Sequence, residues 1–227
     1  MPVNPGRTTM SVARASAFTI RLLIPLILFG LAGATSAWSQ DSQGSQDPDV
    51  SSAAILNDPA APVAGNPNGN LTIVTFFDYN CPFCKKAEPS LERVVKEDGH
   101  IRLVYKDWPI LTKPSVYGAQ LALAAKYQGK YDAVHAALMA IPGTKIPEDQ
   151  MLAAVRASGV DMNQLDADLK THGDEITALL RRNLAQADSL GLQGTPAYIV
   201  GRYKVTSALT YEGFKRVVAD ARAQAKK

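Results

Sequence analysis

Residues Leu71 to Phe77 read Leu-Thr-Ile-Val-Thr-Phe-Phe, a β-branched and aromatic run entered through the turn pair Asn68-Gly69. A short apolar run of this kind predicts a strand buried in a sheet. After Asp78-Tyr79-Asn80 the period changes. Ala87, Leu91, Val94 and Val95 recur at helical spacing until Asp98-Gly99, and Ile101 to Tyr105 reads as a second strand. Strand, helix and strand within about 35 residues make a βαβ unit, which fixes the two strands as parallel with a right-handed crossover.

Before this unit, Gln40 to Asn70 is rich in Ser, Asp, Pro, Gly and Asn, with a helical turn or two hinted at Val50 to Leu56. Residues 40–62 are therefore expected to be a flexible lead-in to a domain at 63–227. Beyond Trp108-Pro109 the chain turns Ala- and Leu-rich. Helices are expected over Ser115–Tyr127, Tyr131–Met139, Glu148–Ala157, Asn163–Lys170 and Asp174–Leu190, the last two separated at Gly173. No fixed repeat links them, so they read as one helical insertion, about 112–190, packed over the core. Ala197–Val200 and Tyr203–Thr206 then form a hairpin around Gly201-Arg202. A closing amphipathic helix, Tyr211–Ala225, presents Phe214, Val217, Val218 and Ala221 on one face.

The formal charge of +3 does not signal nucleic-acid binding. Residues 1–40 hold Arg7, Arg14 and Arg21 and no acidic residue, and the remainder balances 21 basic against 21 acidic side chains. The basic stretch precedes an apolar run, Leu22 to Ala34, and small residues near Ala37. That order is the layout of a secretory signal peptide, expected over residues 1–39 with the start at Met1 or Met10. Pro25 and the shortness of the run argue against a spanning helix.

The sequence holds 2 cysteines, Cys81 and Cys84, in Cys-Pro-Phe-Cys. A bridge across two residues constrains the unfolded chain little, so a structural staple is disfavoured. The pair stands where a strand hands over to a helix. Unpaired N–H groups and the positive end of the helix dipole there favour a thiolate on Cys81. Three units of pKa lowering correspond to roughly 90 mV of oxidising power, other terms being equal. His100, His135 and His172 are scattered, which gives no zinc-ligand spacing.

The segment Phe76-Phe77-Asp78-Tyr79-Asn80-Cys81-Pro82-Phe83-Cys84-Lys85, with Pro89 five residues on and Gly194-Thr195-Pro196 far downstream, resembles the DsbA-like oxidoreductases of the thioredoxin superfamily. The resemblance covers roughly Ile55 to Ala225. It implies an α/β, thioredoxin-like fold with a large helical insertion. It also implies Cys81 as the exposed attacking sulfur, Cys84 as the buried resolving thiol, and Thr195, cis-Pro196 and Phe83 as substrate contacts, with no cofactor and no resident metal. Two departures stand out. DsbA itself carries a buried acidic residue where this chain has Thr75, and Pro-His where this chain has Pro-Phe, so a strong but not maximal oxidant is expected. Asp78, Lys85 and Lys86 read as solvated charges, and Tyr79, Phe83, Trp108 and Tyr198 as an apolar rim, although Trp108 also suits the core.

The resemblance implies a periplasmic enzyme that oxidises reduced or misoxidised exported proteins and is itself reoxidised by a membrane redox partner, and the short lead-in favours a monomer. A disulfide isomerase or reductase is one alternative. A Cu(I)-handling protein in copper tolerance is another, since two thiolates suit Cu(I).

Overall fold

The computed structural model describes residues 49–225, so the signal-peptide reading of residues 1–39 lies outside the described residues. Five strands pair in the order β1-β3-β2-β4-β5, with β1 at Val63–Gly65, β2 at Leu71–Phe77, β3 at Ile101–Asp107, β4 at Ala197–Val200 and β5 at Tyr203–Val205. The expected βαβ unit is present. β2 and β3 run parallel in register from Leu71↔Ile101 to Phe77↔Asp107, crossed over by α2, Pro82–Asp98. Gly99 ends α2 at φ 70, a left-handed position that glycine adopts without steric penalty, and its N–H bonds the Val95 carbonyl.

Both faces of β2 are covered, which is why its sequence shows no alternation. Leu71, Ile73 and Phe77 join the core formed with α2 and with α7, Tyr211–Ala225, whose Phe214, Val218 and Ala221 are buried. Val74 and Phe76 face a second cluster with Ile55, Val104, Trp108 and Ala187. Trp108 packs edge-on to Phe76 there, ring centres 6.2 Å apart, and is core rather than rim. β4 runs antiparallel to β2, and β5 returns through Gly201-Arg202, with Gly201 at φ 57 as the hairpin requires.

Three expectations about the elements need correction or addition. The described part of the lead-in is folded against the domain. α1, Ser52–Asn57, buries Ile55, and Asp58 lies 4% exposed in contact with Lys106 and Arg182. Its backbone is fastened too, because Arg102 donates to the Leu56 carbonyl, Lys126 to that of Ala60 and Gln186 to that of Asp49. β1 then adds an antiparallel edge to β3 that the sequence pattern did not suggest.

The insertion comprises α3, Lys113–Ala125, α4, Tyr131–Ala140, α5, Glu148–Ala157, and α6, Met162–Ser189. α3 packs on α4, α5 and α6, while α4 reaches α2 and α6 reaches β3, so the insertion covers the core as expected. α6 is one helix of 28 residues and does not break at Gly173. Its buried stripe of Leu165, Asp168, Ile176, Leu179 and Asn183 continues through that position, and the burial outweighs a glycine penalty of about 1 kcal/mol. A Cβ at Gly173 would meet nothing within 4 Å. Gly173→Ala is therefore expected to stabilise the protein by about 0.5–1 kcal/mol, raising Tm by about 1–4 °C. A lowered Tm in thermal melts would contradict this reading of the helix.

Candidate active site

The strand-to-helix junction places the cysteines as the sequence suggests. Cys81 is the N-cap of α2 at φ −81 and ψ 114, Pro82 follows in the first helical turn, and Cys84 lies one turn in. The Cys84 N–H donates to Cys81 Sγ at 3.3 Å. As a thiol, Cys81 donates in turn to the Thr195 carbonyl at 3.3 Å, so the Thr195-Pro196 loop sits against the sulfur although 114 residues separate them. The Thr195-Pro196 peptide bond is cis. β4 begins directly after it at Ala197, which pairs with Phe76 and fixes the loop at the same end of the sheet as the cysteines. Gly194 is not needed for room, because a Cβ there meets nothing.

The two sulfurs are charged differently. The Cys81 thiol is held down from 9.0 to about 6, chiefly by hydrogen bonding from the Cys84 thiol, against the opposing effect of burial, with help from the Thr195 side chain and the N–H groups of Cys84 and Phe83. Cys84 is pushed far above the ordinary thiol range by burial and by the neighbouring Cys81 sulfur. Both are free cysteines and both are 2% exposed. The expected exposed attacking sulfur is thus a covered one, with Thr195 lying against it. Electrostatics, not accessibility, separates the pair.

Other sequence expectations are corrected here. Phe83 is 62% exposed beside Cys81, but Tyr79 and Tyr198 are buried and form no rim. Asp78 is fully buried rather than solvated. Its carboxylate accepts the N–H of Asn80 at 2.7 Å and that of Leu111 at 2.9 Å, tying the β2–α2 turn to the segment after β3. Lys85 is half-buried, donates to the Ile141 carbonyl at 2.6 Å, and is lowered by burial to about 8, while Lys86 is exposed as expected. Lys85 also borders a groove of about 510 Å³ between α2 and α4 that runs from Pro82 past Glu92 to Thr144.

A buried polar cluster behind the cysteines was missed altogether. His135 on α4 bonds Glu88 of α2 through Nε2 at 3.1 Å and the Tyr79 hydroxyl through Nδ1 at 3.0 Å. Alongside, Tyr131 donates to Asp107 at 2.9 Å, and burial pushes that carboxyl up to about 6. One signal was available. Glu88 stands four residues after Cys84 and three before Leu91, on the apolar face of α2, where an unpaired charge is not tolerated.

The family described as Thioredoxin matches residues 57–220. A thioredoxin-like oxidoreductase from Silicibacter pomeroyi superposes with a TM-score of 0.72 at 40% identity, over 76% of this chain and 98% of that one. The thiol-disulfide exchange protein alpha-DsbA2 from Wolbachia pipientis gives 0.69 at 27% identity, over 74% and 90%. Among curated relatives, the Na(+)/H(+) antiporter NhaA 1 of Mycobacterium sp. (strain KMS) is 28% identical over 141 residues, 61% of this chain and 23% of the antiporter. This chain spans about a quarter of the length of the curated relatives first matched. With the cysteine pair, the cis-proline loop and the sheet order all in place, the chain belongs to the thioredoxin family.

Proposed function

We propose that this chain is a protein thiol-disulfide oxidoreductase that passes a Cys81–Cys84 disulfide to reduced exported proteins. The observation that carries the reading is the unequal pair, a thiolate-stabilised Cys81 at the helix N-terminus against a Cys84 pushed far up. A substrate thiolate attacks Cys81 Sγ, the Cys81–Cys84 bond breaks, and its electron pair leaves on Cys84, which takes up a proton. A second substrate thiolate then attacks the substrate sulfur of the mixed disulfide. The substrate disulfide forms, Cys81 leaves as the stabilised thiolate, and a membrane redox partner restores the enzyme disulfide. Thr195 and Pro196 border the sulfur, where the backbone at the start of β4 suits pairing with an extended peptide, and exposed Phe83 offers an apolar contact. The basic and apolar N-terminal stretch supports an exported, periplasmic setting.

The strength of the oxidant follows from the thiolate, with a revision of the sequence-based figure. A thiol at about 6 gives about ten thiolates per thiol at pH 7. Only that tenfold bias acts on the disulfide at pH 7, about 30 mV, because the remaining units of the shift operate above neutrality. A modest oxidant is expected. Acid quenching and thiol trapping of whole cells reads the ratio of disulfide to dithiol directly. A mostly oxidised protein is expected, and a mostly reduced one would overturn the donor role in favour of a reductase or isomerase.

A further inference from the structure

The turn that presents Cys81 is clasped from outside by the helical insertion, and one side chain makes most of the clasp. Asn80 is 2% exposed and its amide is used on every side. Its Oδ1 accepts the N–H of Ile146 at 2.6 Å, and its Nδ2 donates to Thr112 Oγ1 at 2.9 Å and to Ser115 Oγ at 3.3 Å. Thr112 is the N-cap of α3, and Ile146 closes the loop between α4 and α5. On the other side of the cysteine pair, Lys85 grips the opposite end of that loop at the Ile141 carbonyl. The loop itself is tightly folded, with Gly143 at φ 90 and Lys145 at φ 56.

We infer that Asn80 is a positioning residue for Cys81, through which the helical insertion sets where the reactive sulfur sits on the first turn of α2. The chemistry requires an amide. One acceptor and two donors meet three partners, a combination that no carboxylate, hydroxyl or apolar side chain supplies. The turn is closed by the Cys81 N–H on the Asp78 carbonyl at 3.0 Å, so a rotation at Asn80 passes directly into Cys81. Sγ then moves relative to the Cys84 N–H and to Thr195, the groups that favour its thiolate. The insertion thereby tunes the nucleophile as well as covering the core.

The assignment rests on Cys81 being the attacking thiol, and the experiment separates the two. Thiolate absorbance at 240 nm is followed against pH on the reduced full chain, for wild type, Asn80→Ala and Thr112→Val, with circular dichroism confirming the fold. Wild type is expected to titrate near 6, and a midpoint at the ordinary thiol value would sink the role of Cys81 itself. Asn80→Ala is expected to move the midpoint up by about one unit, a tenfold loss in the ratio of thiolate to thiol. Thr112→Val, which removes one acceptor and leaves residue 80 in place, is expected to move it the same way by less, and it carries the test where Asn80→Ala does not fold. A lowered Tm with an unmoved midpoint in the folded variants would reduce Asn80 to a structural residue and overturn the inference.

Discussion

Replacing Cys81 with serine is expected to abolish disulfide transfer, whereas replacing Cys84 with serine is expected to leave a protein that accumulates mixed disulfides. The asymmetry follows from charge. The two sulfurs are equally covered, but hydrogen bonding holds the Cys81 thiol down to about 6, while burial and the neighbouring Cys81 sulfur push Cys84 far up. A serine hydroxyl at position 81 forms no disulfide, so no covalent intermediate begins. A serine at 84 leaves the stabilised Cys81 thiolate able to attack a partner disulfide, expelling one partner thiolate, but removes the internal thiol whose attack on Cys81 Sγ would reverse the mixed disulfide, so the adduct persists. Thiol trapping followed by non-reducing electrophoresis measures both outcomes. Equal adduct yields from the two variants would reverse or dissolve the assignment.

The parts of this architecture legible in the sequence are those written in local periodicity. β2 and α2 differ in period, and the change between them marks the junction where the cysteines stand. The cis-proline loop was legible only through a motif, because 114 residues separate Thr195 from Cys81 and no local pattern joins them. β1 was not legible. Three residues carry no period, and their strand character comes from the edge of β3. Gly173 misled for the opposite reason, since a local breaker lost to a buried stripe that continues on either side.

Charged residues were the least legible. Asp78 reads as a surface carboxylate until the N–H of Leu111 is brought against it from 33 residues away. Glu88 and His135 stand 47 residues apart and satisfy one another only after α4 folds onto α2. A buried polar side chain is defined by its partner, and a single sequence does not show partners. Apolar side chains need no particular partner, which is why the core was easier to foresee than the polar cluster behind the cysteines.

The same blindness hid the ion pair that fastens the chain ahead of β1, and its removal is expected to have the largest effect on stability. Lys106 has no exposed side-chain surface in the sheet, and its Nζ lies 3.2 Å from Asp58 Oδ2. Arg182 reaches the same carboxylate from α6 by two bonds, 2.7 Å and 3.1 Å, and the Ala60 N–H adds a third donor at 3.0 Å. Burial pushes the Asp58 carboxyl up, but the Arg182 hydrogen bond, the Lys106 charge and the Ala60 N–H together hold it below its ordinary 3.8. Asp58→Ala leaves the Lys106 cation buried without a counter-charge, a loss of about 3–5 kcal/mol. For a domain of this size that lowers Tm by on the order of 10 °C. Because the folded carboxyl is the stronger acid, its contribution is present above the unfolded pKa and fades as pH falls through the folded value. The gap between wild type and Asp58→Ala should therefore narrow below about pH 4. Pairing the change with Lys106→Met removes the stranded cation and should restore part of the loss. Thermal melts of the three variants across pH decide the matter: a fall of only a degree or two at pH 7 for Asp58→Ala would mean that residues 49–62 lie on the domain without holding it together.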